Sequence, residues 1–186
     1  MSDKSVWLEQ IDSALIRFIR KHIKFNGNPV KVIVRKPEDD FYSEEYPVVS
    51  IYCLYDHFSR ERYEPQDVVV GETEENLILE KSALPYDLSY QIDFWSAYQS
   101  DMNYMLKQWK TLGFWFNLTV EDVSGNERSC FVRSKGDFNK SDIFQAEKRL
   151  FHCSETFQIW TELDEGTQEE VPKIVQTTVH FNNSED

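Results

Sequence analysis

The residues able to do chemistry are few and scattered. The four histidines are His22, His57, His152 and His180, and the three cysteines are Cys53, Cys130 and Cys153. A zinc site needs about four convergent ligands, usually at spacings such as C-x-x-C or H-x-x-x-H. Neither spacing occurs, and His152 and Cys153, adjacent on a strand, would point to opposite faces. No metal and no cofactor is expected. The chain has no G-x-x-x-x-G-K-[ST], no G-x-G-x-x-G and no G-x-S-x-G, so it has neither phosphate loop nor nucleophile elbow. The carboxylate pairs Asp39-Asp40, Glu44-Glu45 and Glu74-Glu75 sit in polar runs and read as solvated surface. Asp87 and Asp93 flank an apolar strand and are expected on its solvent face. No catalytic residue is expected, and the chain does not read as an enzyme.

The aromatic residues carry more information. Phe94-Trp95 and Phe114-Trp115-Phe116 could stack nucleic-acid bases, but such platforms come with Lys and Arg that track the phosphates. Here Asp93, Glu121 and Asp122 lie beside them. Core packing and protein–protein contact remain. Trp95 and Trp160 fall opposite the main apolar parity of their strands, which suits a subunit contact, where Trp and Tyr are enriched. With Tyr63, Val69 and Phe138 they make up the candidate interface residues.

The elements that must position these residues follow from periodicity. Leu8, Ile11, Leu15, Phe18, Ile19 and Ile23 form one stripe, predicting a helix over 5–24 with Ser5 as N-cap and Gly27 as its left-handed stop. Strands are predicted over 30–35 and 46–56. Residues 57–83 form a long excursion, read as a hairpin with Gly71 and the acidic residues near its tip. The clearest strand starts at Leu84, with Leu88, Tyr90, Ile92 and Phe94 on one face. A second helix over 101–112 carries Met102, Met105, Leu106 and Trp109, with Ser100 as N-cap. Strands over 114–122 and 129–134 make a hairpin, 135–147 reads as a polar loop, and a long strand with a bulge runs over 148–163. The fold class is α+β: a mostly antiparallel twisted sheet with two main helices packed against it.

The chain has 186 residues, a net charge of −13 and 15% aromatic residues. That aromatic content excludes an acidic disordered chain. The charge argues against wrapping duplex DNA or binding an anionic membrane. One domain over 1–163 is expected, with 164–186 as an acidic tail that is flexible or partner-dependent. Glu9, Asp12, Arg17 and Arg20 interrupt any apolar signal-peptide core, and no run approaches the roughly 18 apolar residues of a membrane span. Three widely spaced cysteines read as reduced thiols, so folding in a cytoplasm is expected.

The order of elements resembles the tail terminator and tail-completion proteins of tailed phages and phage-tail-like particles. The resemblance rests on the opening amphipathic helix, the segment Tyr46-Pro47-Val48-Val49-Ser50-Ile51-Tyr52, and the run from Leu84 to Trp95. The helix Ser100-Asp101-Met102-Asn103-Tyr104-Met105-Leu106 follows that run, and the strand from Phe151 to Leu163 closes the fold. The resemblance covers about residues 5–163. The excursion at 57–83 and the tail at 164–186 depart from the smallest members. It implies a structural virion protein in the tail or neck, assembled in the host cytoplasm. Such a protein forms a ring, commonly a homohexamer, that caps the tail tube at its head-proximal end and ends polymerisation. The implied partners are the tube protein, a neck or head-completion protein and, in contractile tails, the sheath. Genomic DNA would pass through the ring without specific binding, and the acidic charge would suit that passage. The alternatives are another neck or head–tail connector, a sheath-associated or tube protein, or a small α+β enzyme or ligand-binding domain.

Overall fold

The computed structural model describes residues 6–35, 46–64, 67–145, 148–163 and 168–172. In chain order the elements are α1 (Leu8–His22), β1 (Lys24–Phe25), β2 (Asn28–Pro29), β3 (Lys31–Val34), β4 (Val48–Phe58), β5 (Val68–Glu72), β6 (Asn76–Glu80) and β7 (Leu84–Ser96). Then come α2 (Gln99–Lys110), β8 (Trp115–Glu121), β9 (Glu127–Gln145), β10 (Lys148–Leu163) and β11 (Gln168–Pro172). They fall into two units: Met1–Tyr63 with Ala83–Asp164, and Glu64–Ser82 with Glu165–Asp186.

The first unit is built on a six-stranded sheet in the order β3-β4-β7-β10-β9-β8. The class is α+β and the sheet is mixed. β3 and β4 run parallel, and every other neighbouring pair is antiparallel. Helix α1 touches both edge strands, β3 and β8, so the sheet curls around it, while α2 lies on β7 and β10. Both helices feed one core. Ile11, Leu15 and Ile19 from α1 and Met102, Met105, Leu106 and Trp109 from α2 meet Leu88, Tyr90, Ile92 and Phe94 of β7 there. Burying each such side chain contributes about 1.5–3 kcal/mol.

β7 explains the topology. It pairs with β10 without a register break, from Leu84↔Leu163 to Ser96↔Phe151. It also pairs with β4 along Val48–Phe58. Its second face, expected to meet solvent, is also covered: Ser89, Asp93 and Trp95 are buried. The expectation for Asp93 is therefore overturned, because a central strand has neighbours on both sides and long side chains close over its outer face.

Local chemistry revises several other expectations. Asn26 and Gly27, with φ of 51° and 81°, form the two-residue turn between β1 and β2. Positive φ at both positions is the primed hairpin turn that Asn-Gly favours. Gly27 therefore serves a hairpin, and α1 ends at an extended Ile23. Ser5, the expected N-cap, lies outside the described residues. On α2 the N-cap is Tyr98, two residues earlier than expected, and Ser100 is helical. The polar stretch 135–145 is strand, because β9 continues past Ser134 to pair with β10. An irregularity opposite Glu155–Phe157 lets it do so, and Gly136 sits there with φ of 74°. A Cβ on Gly136 would lie 2.9 Å from the Phe114 ring, so this close approach requires glycine.

The second unit is a three-stranded sheet in the order β11-β6-β5. Strands β5 and β6 are the hairpin of the excursion, and β11 adds to β6 from Gln168↔Glu80 to Pro172↔Asn76. The turn is at residues 73–75, and Gly71 lies inside β5 at a register shift.

Two carboxylates of the first unit affect its stability with opposite pH signs. Asp12 on α1 accepts a hydrogen bond from the buried Tyr90 hydroxyl at 2.8 Å. Burial raises its pKa, and the Tyr90 bond only partly opposes this. Asp122 accepts from the Asn126 and Ser124 backbone N–H groups at 2.8 and 3.0 Å and from Arg128 Nε at 3.3 Å. Those donors, the Asn126 backbone first, hold its pKa down. A raised folded pKa is a penalty at neutral pH that disappears as pH falls through it, whereas a depressed one is a gain lost as pH falls. Asp12→Asn is thus expected to raise the melting temperature at pH 7, and Asp122→Asn to lower it. The Asp12 difference should have closed by about pH 4, and the Asp122 difference should begin to close only below it. Thermal unfolding followed by circular dichroism across that range checks both signs, and a lower melting temperature for Asp12→Asn at pH 7 would contradict the desolvation argument.

Candidate assembly interface

The outer face of the curled sheet carries residues of opposite parity to the core. Register aligns them into rows, because directly opposed residues on neighbouring strands share a face. One row runs Asn117–Phe131–Trp160–Asp87–His57 across β8, β9, β10, β7 and β4. Trp115 and Arg133, opposed on β8 and β9, stand beside it.

These side chains form a continuous strip. The rings of Trp115 and Phe131 are 6.0 Å apart, and those of Phe131 and Trp160 are 4.8 Å apart. The Arg133 guanidinium lies 5.5 Å from the Trp115 ring, and that of Arg62 lies 5.3 Å from the Trp160 ring. Arg62 is held from behind by Asp87 Oδ1 at 2.6 Å and the Tyr86 carbonyl at 2.7 Å. His57 Nε2 reaches the other Asp87 oxygen at 3.4 Å. Asp87 is thus mostly covered by its partners instead of facing solvent. Trp115 is 62% exposed and Trp160 36%. Aromatic rings stacked with arginine, rigid and half wet, are the composition that interface centres favour.

A second outer row is buried at Val48 and Trp95, half-buried at His152 and exposed at Ser141. Val48, Trp95, His152 and Ser141 are aligned across β4, β7, β10 and β9. Trp95 donates its indole N–H to Ser50 Oγ at 3.0 Å, and its ring stacks on His152 at 4.1 Å. His152 Nε2 meets Asp93 Oδ1 at 2.8 Å, and Nδ1 meets Ser141 Oγ at 2.9 Å. Gln91 Nε2 also donates to that Asp93 oxygen, at 2.8 Å. A serine, an imidazole and a carboxylate in hydrogen-bonded order can in principle activate a nucleophile. Here the imidazole is clamped beneath Trp95 and is 13% exposed, which suits a tie between the β9–β10 hairpin and β7. On the core side, Glu155 at the β9 irregularity accepts from the Trp109 indole N–H and the Ser134 hydroxyl.

The candidate interface residues are dispersed. Trp160 lies in the exposed strip. Tyr63 is half-buried against Phe58, with ring centres 5.2 Å apart. Phe138 is half-buried against the core with Lys110 Nζ 4.2 Å from its ring. Trp95 is 4% exposed within its own chain. Val69 is on β5 of the second unit and is 55% exposed. Sequence reasoning missed Trp115, Phe131, Arg62 and Arg133 as one group. The available signal was Trp115 alternating with Asn117 and Thr119 against the buried Leu118 and Val120. Among the described residues no group of three or more His, Cys, Asp or Glu is placed to hold a metal ion. Burial pushes the thiols of Cys53 and Cys130 up to about 11, far from thiolate chemistry at neutral pH. No helix among the described residues is long and apolar enough to cross a membrane.

No protein-family model and no curated protein matches the chain. Among solved structures it is similar to the sheath/tube terminator of an extracellular contractile injection system, PVC, in the extended state. The TM-score is 0.50 at 13% identity, over 98% of this chain and 66% of that one. At that identity the likeness is one of fold.

The two histidine–aspartate contacts are expected to differ in worth. His152→Ala leaves the fully buried Asp93 carboxylate short of a donor and is expected to cost about 3–5 kcal/mol. His57→Ala, at a half-exposed contact, is expected to cost about 0–1 kcal/mol. Urea unfolding of both variants measures this, and equal costs would refute the structural role given to the second row.

Proposed function

We propose that this protein is a tail terminator: a ring-forming structural protein that caps a tail tube at its head-proximal end, ends polymerisation and joins the tail to the neck. The observation that carries the reading is the fold shared over 98% of the chain with a sheath/tube terminator. The exposed Trp115–Phe131–Trp160 strip adds a surface that a lone chain leaves uncovered. The partners in this reading are further copies of the chain, the tube protein, a neck or head-completion protein and, in a contractile particle, the sheath. The place of action is the tail of a phage or phage-like particle. Ring closure needs heterologous contacts, in which two different surfaces of each copy meet. The charge of −13 gives such a ring an acidic character that repels phosphates and lets DNA pass unbound; a lumen lined by Lys and Arg would contradict this.

Native mass spectrometry and electron microscopy of the purified chain test the reading. Closed rings of six copies are expected. A monomer at all accessible concentrations, or growth into long tubes, would overturn it.

A second reading, a serine hydrolase, draws on the Ser141–His152–Asp93 hydrogen-bond chain. The clamped imidazole speaks against it, so a fluorophosphonate probe is expected to leave Ser141 unlabelled. Stoichiometric labelling lost in His152→Gln would favour the hydrolase.

A further inference from the structure

The second unit has a composition that its own three strands do not explain. Val68, Val69 and Val70 are consecutive on β5 and are 56%, 55% and 46% exposed. Consecutive strand residues face opposite ways, so apolar surface is bare on both faces of this strand. Among the described residues β5 is also an edge of its sheet, with β6 as its neighbour. An exposed, apolar edge strand invites association and is normally shielded. Around it the unit is acidic, with Asp67, Glu74 and Glu75 exposed near β5 and Glu169 and Glu170 exposed on β11.

The strip on the first unit has the complementary character. It is aromatic and apolar at its centre, and Arg133 and Arg62 lie over its outer rings. Arg62 is already paired with Asp87 of the same row, at 2.6 Å, whereas Arg133 lies over the exposed Trp115. Valines would cover the rings while a flanking carboxylate met Arg133. The apolar contact would supply most of the affinity, and the charges would select partner and orientation.

We propose that the valine edge of β5 in one copy docks on the Trp115–Phe131–Trp160 strip of the next copy. This rests on the ring reading and names its contact. The two surfaces differ, so every copy offers one of each, and the contact is heterologous. Repeated with rotation, such a contact closes a ring without symmetric dimers.

The test uses full-length chains with one surface disabled. Val69→Asp or Val70→Asp disables the edge; Val70 falls at the register shift, where it has no partner on β6. Trp115→Ala or Arg133→Glu disables the strip. Each variant alone is expected to shift the ring dissociation midpoint up by at least about tenfold, with the circular dichroism spectrum unchanged. Mixing Val70→Asp with Trp115→Ala chains restores one intact edge and one intact strip per pair. Native mass spectrometry should then show one-to-one mixed dimers and no rings. Wild-type rings that persist in folded edge and strip variants would overturn the docking proposal while leaving the ring reading standing. Absence of rings from the wild type would overturn both. Rings lost in the variants without mixed dimers would also count against the docking, because the two surfaces would then not be each other's partners.

Discussion

The ladder between β7 and β10 is the constraint on which the other arrangements depend. It runs through thirteen consecutive pairs, from Leu84↔Leu163 to Ser96↔Phe151, without a break. Side chains alternate with period two, so this one register assigns both faces at once. It puts Tyr90 beside Phe157 and Leu88 beside Ile159 under the helices. The same pairing puts Trp95 beside His152 and Asp87 beside Trp160 on the outside. A slip by one residue would bury Asp93 among the helices and expose Phe94. The core and the candidate interface are therefore two readings of one set of hydrogen bonds. The irregularities in the sheet lie elsewhere, between β9 and β10 and between β4 and β7, where they bend the flanking strands and leave the central pair intact.

What was legible in the sequence follows the same division. Period and composition sufficed for α1, α2, β7 and β10, because their apolar residues repeat over many positions. The stripe Met102, Met105, Leu106 and Trp109 is buried as its spacing requires. The hairpin of the excursion was legible from its valine and leucine runs. The C-terminal half of β9 was not, because residues 135–145 carry the polar side chains of a loop. They form strand because β10 offers a ladder to pair with, a tertiary gain that overrides local preference. Asp93 illustrates the same limit. An aspartate on the second face of an amphipathic strand reads as solvated, and only the pairing with β10 brings His152 onto it, beside Gln91 of its own strand. The outer strip was invisible for a related reason. Its members come from five elements and a loop, and no local pattern says that Arg62 stands over Trp160.

The acidic character is managed differently in the two units. In the first, the buried carboxylates each meet specific donors. Asp122 caps its turn, Glu155 takes an indole and a hydroxyl at the β9 irregularity, and Asp93 takes an amide and an imidazole. A buried carboxylate is tolerated only with such partners. These groups fix geometry; at Asp93 both donors converge on Oδ1, and Oδ2 is buried without a hydrogen-bond partner. In the second unit, Glu74, Glu75, Glu169 and Glu170 are exposed. There Glu74 and Glu75 lie at the turn beside β5, Glu169 and Glu170 lie on β11 at the opposite edge of the sheet, and Glu170 accepts a hydrogen bond from Asn76 Nδ2 at 3.2 Å.

That contrast bears on how a self-associating protein avoids uncontrolled growth. An edge strand that is merely apolar would pair with its own kind and extend indefinitely. In the proposed assembly, Asp67, Glu74 and Glu75 beside β5 repel a second acidic edge, so edge-to-edge pairing is penalised before any partner is selected. A surface with arginine over tryptophan removes that penalty and adds apolar cover. The discrimination comes from a repulsive element as much as from an attractive one. In the proposed ring, closure then depends on the angle that each contact imposes.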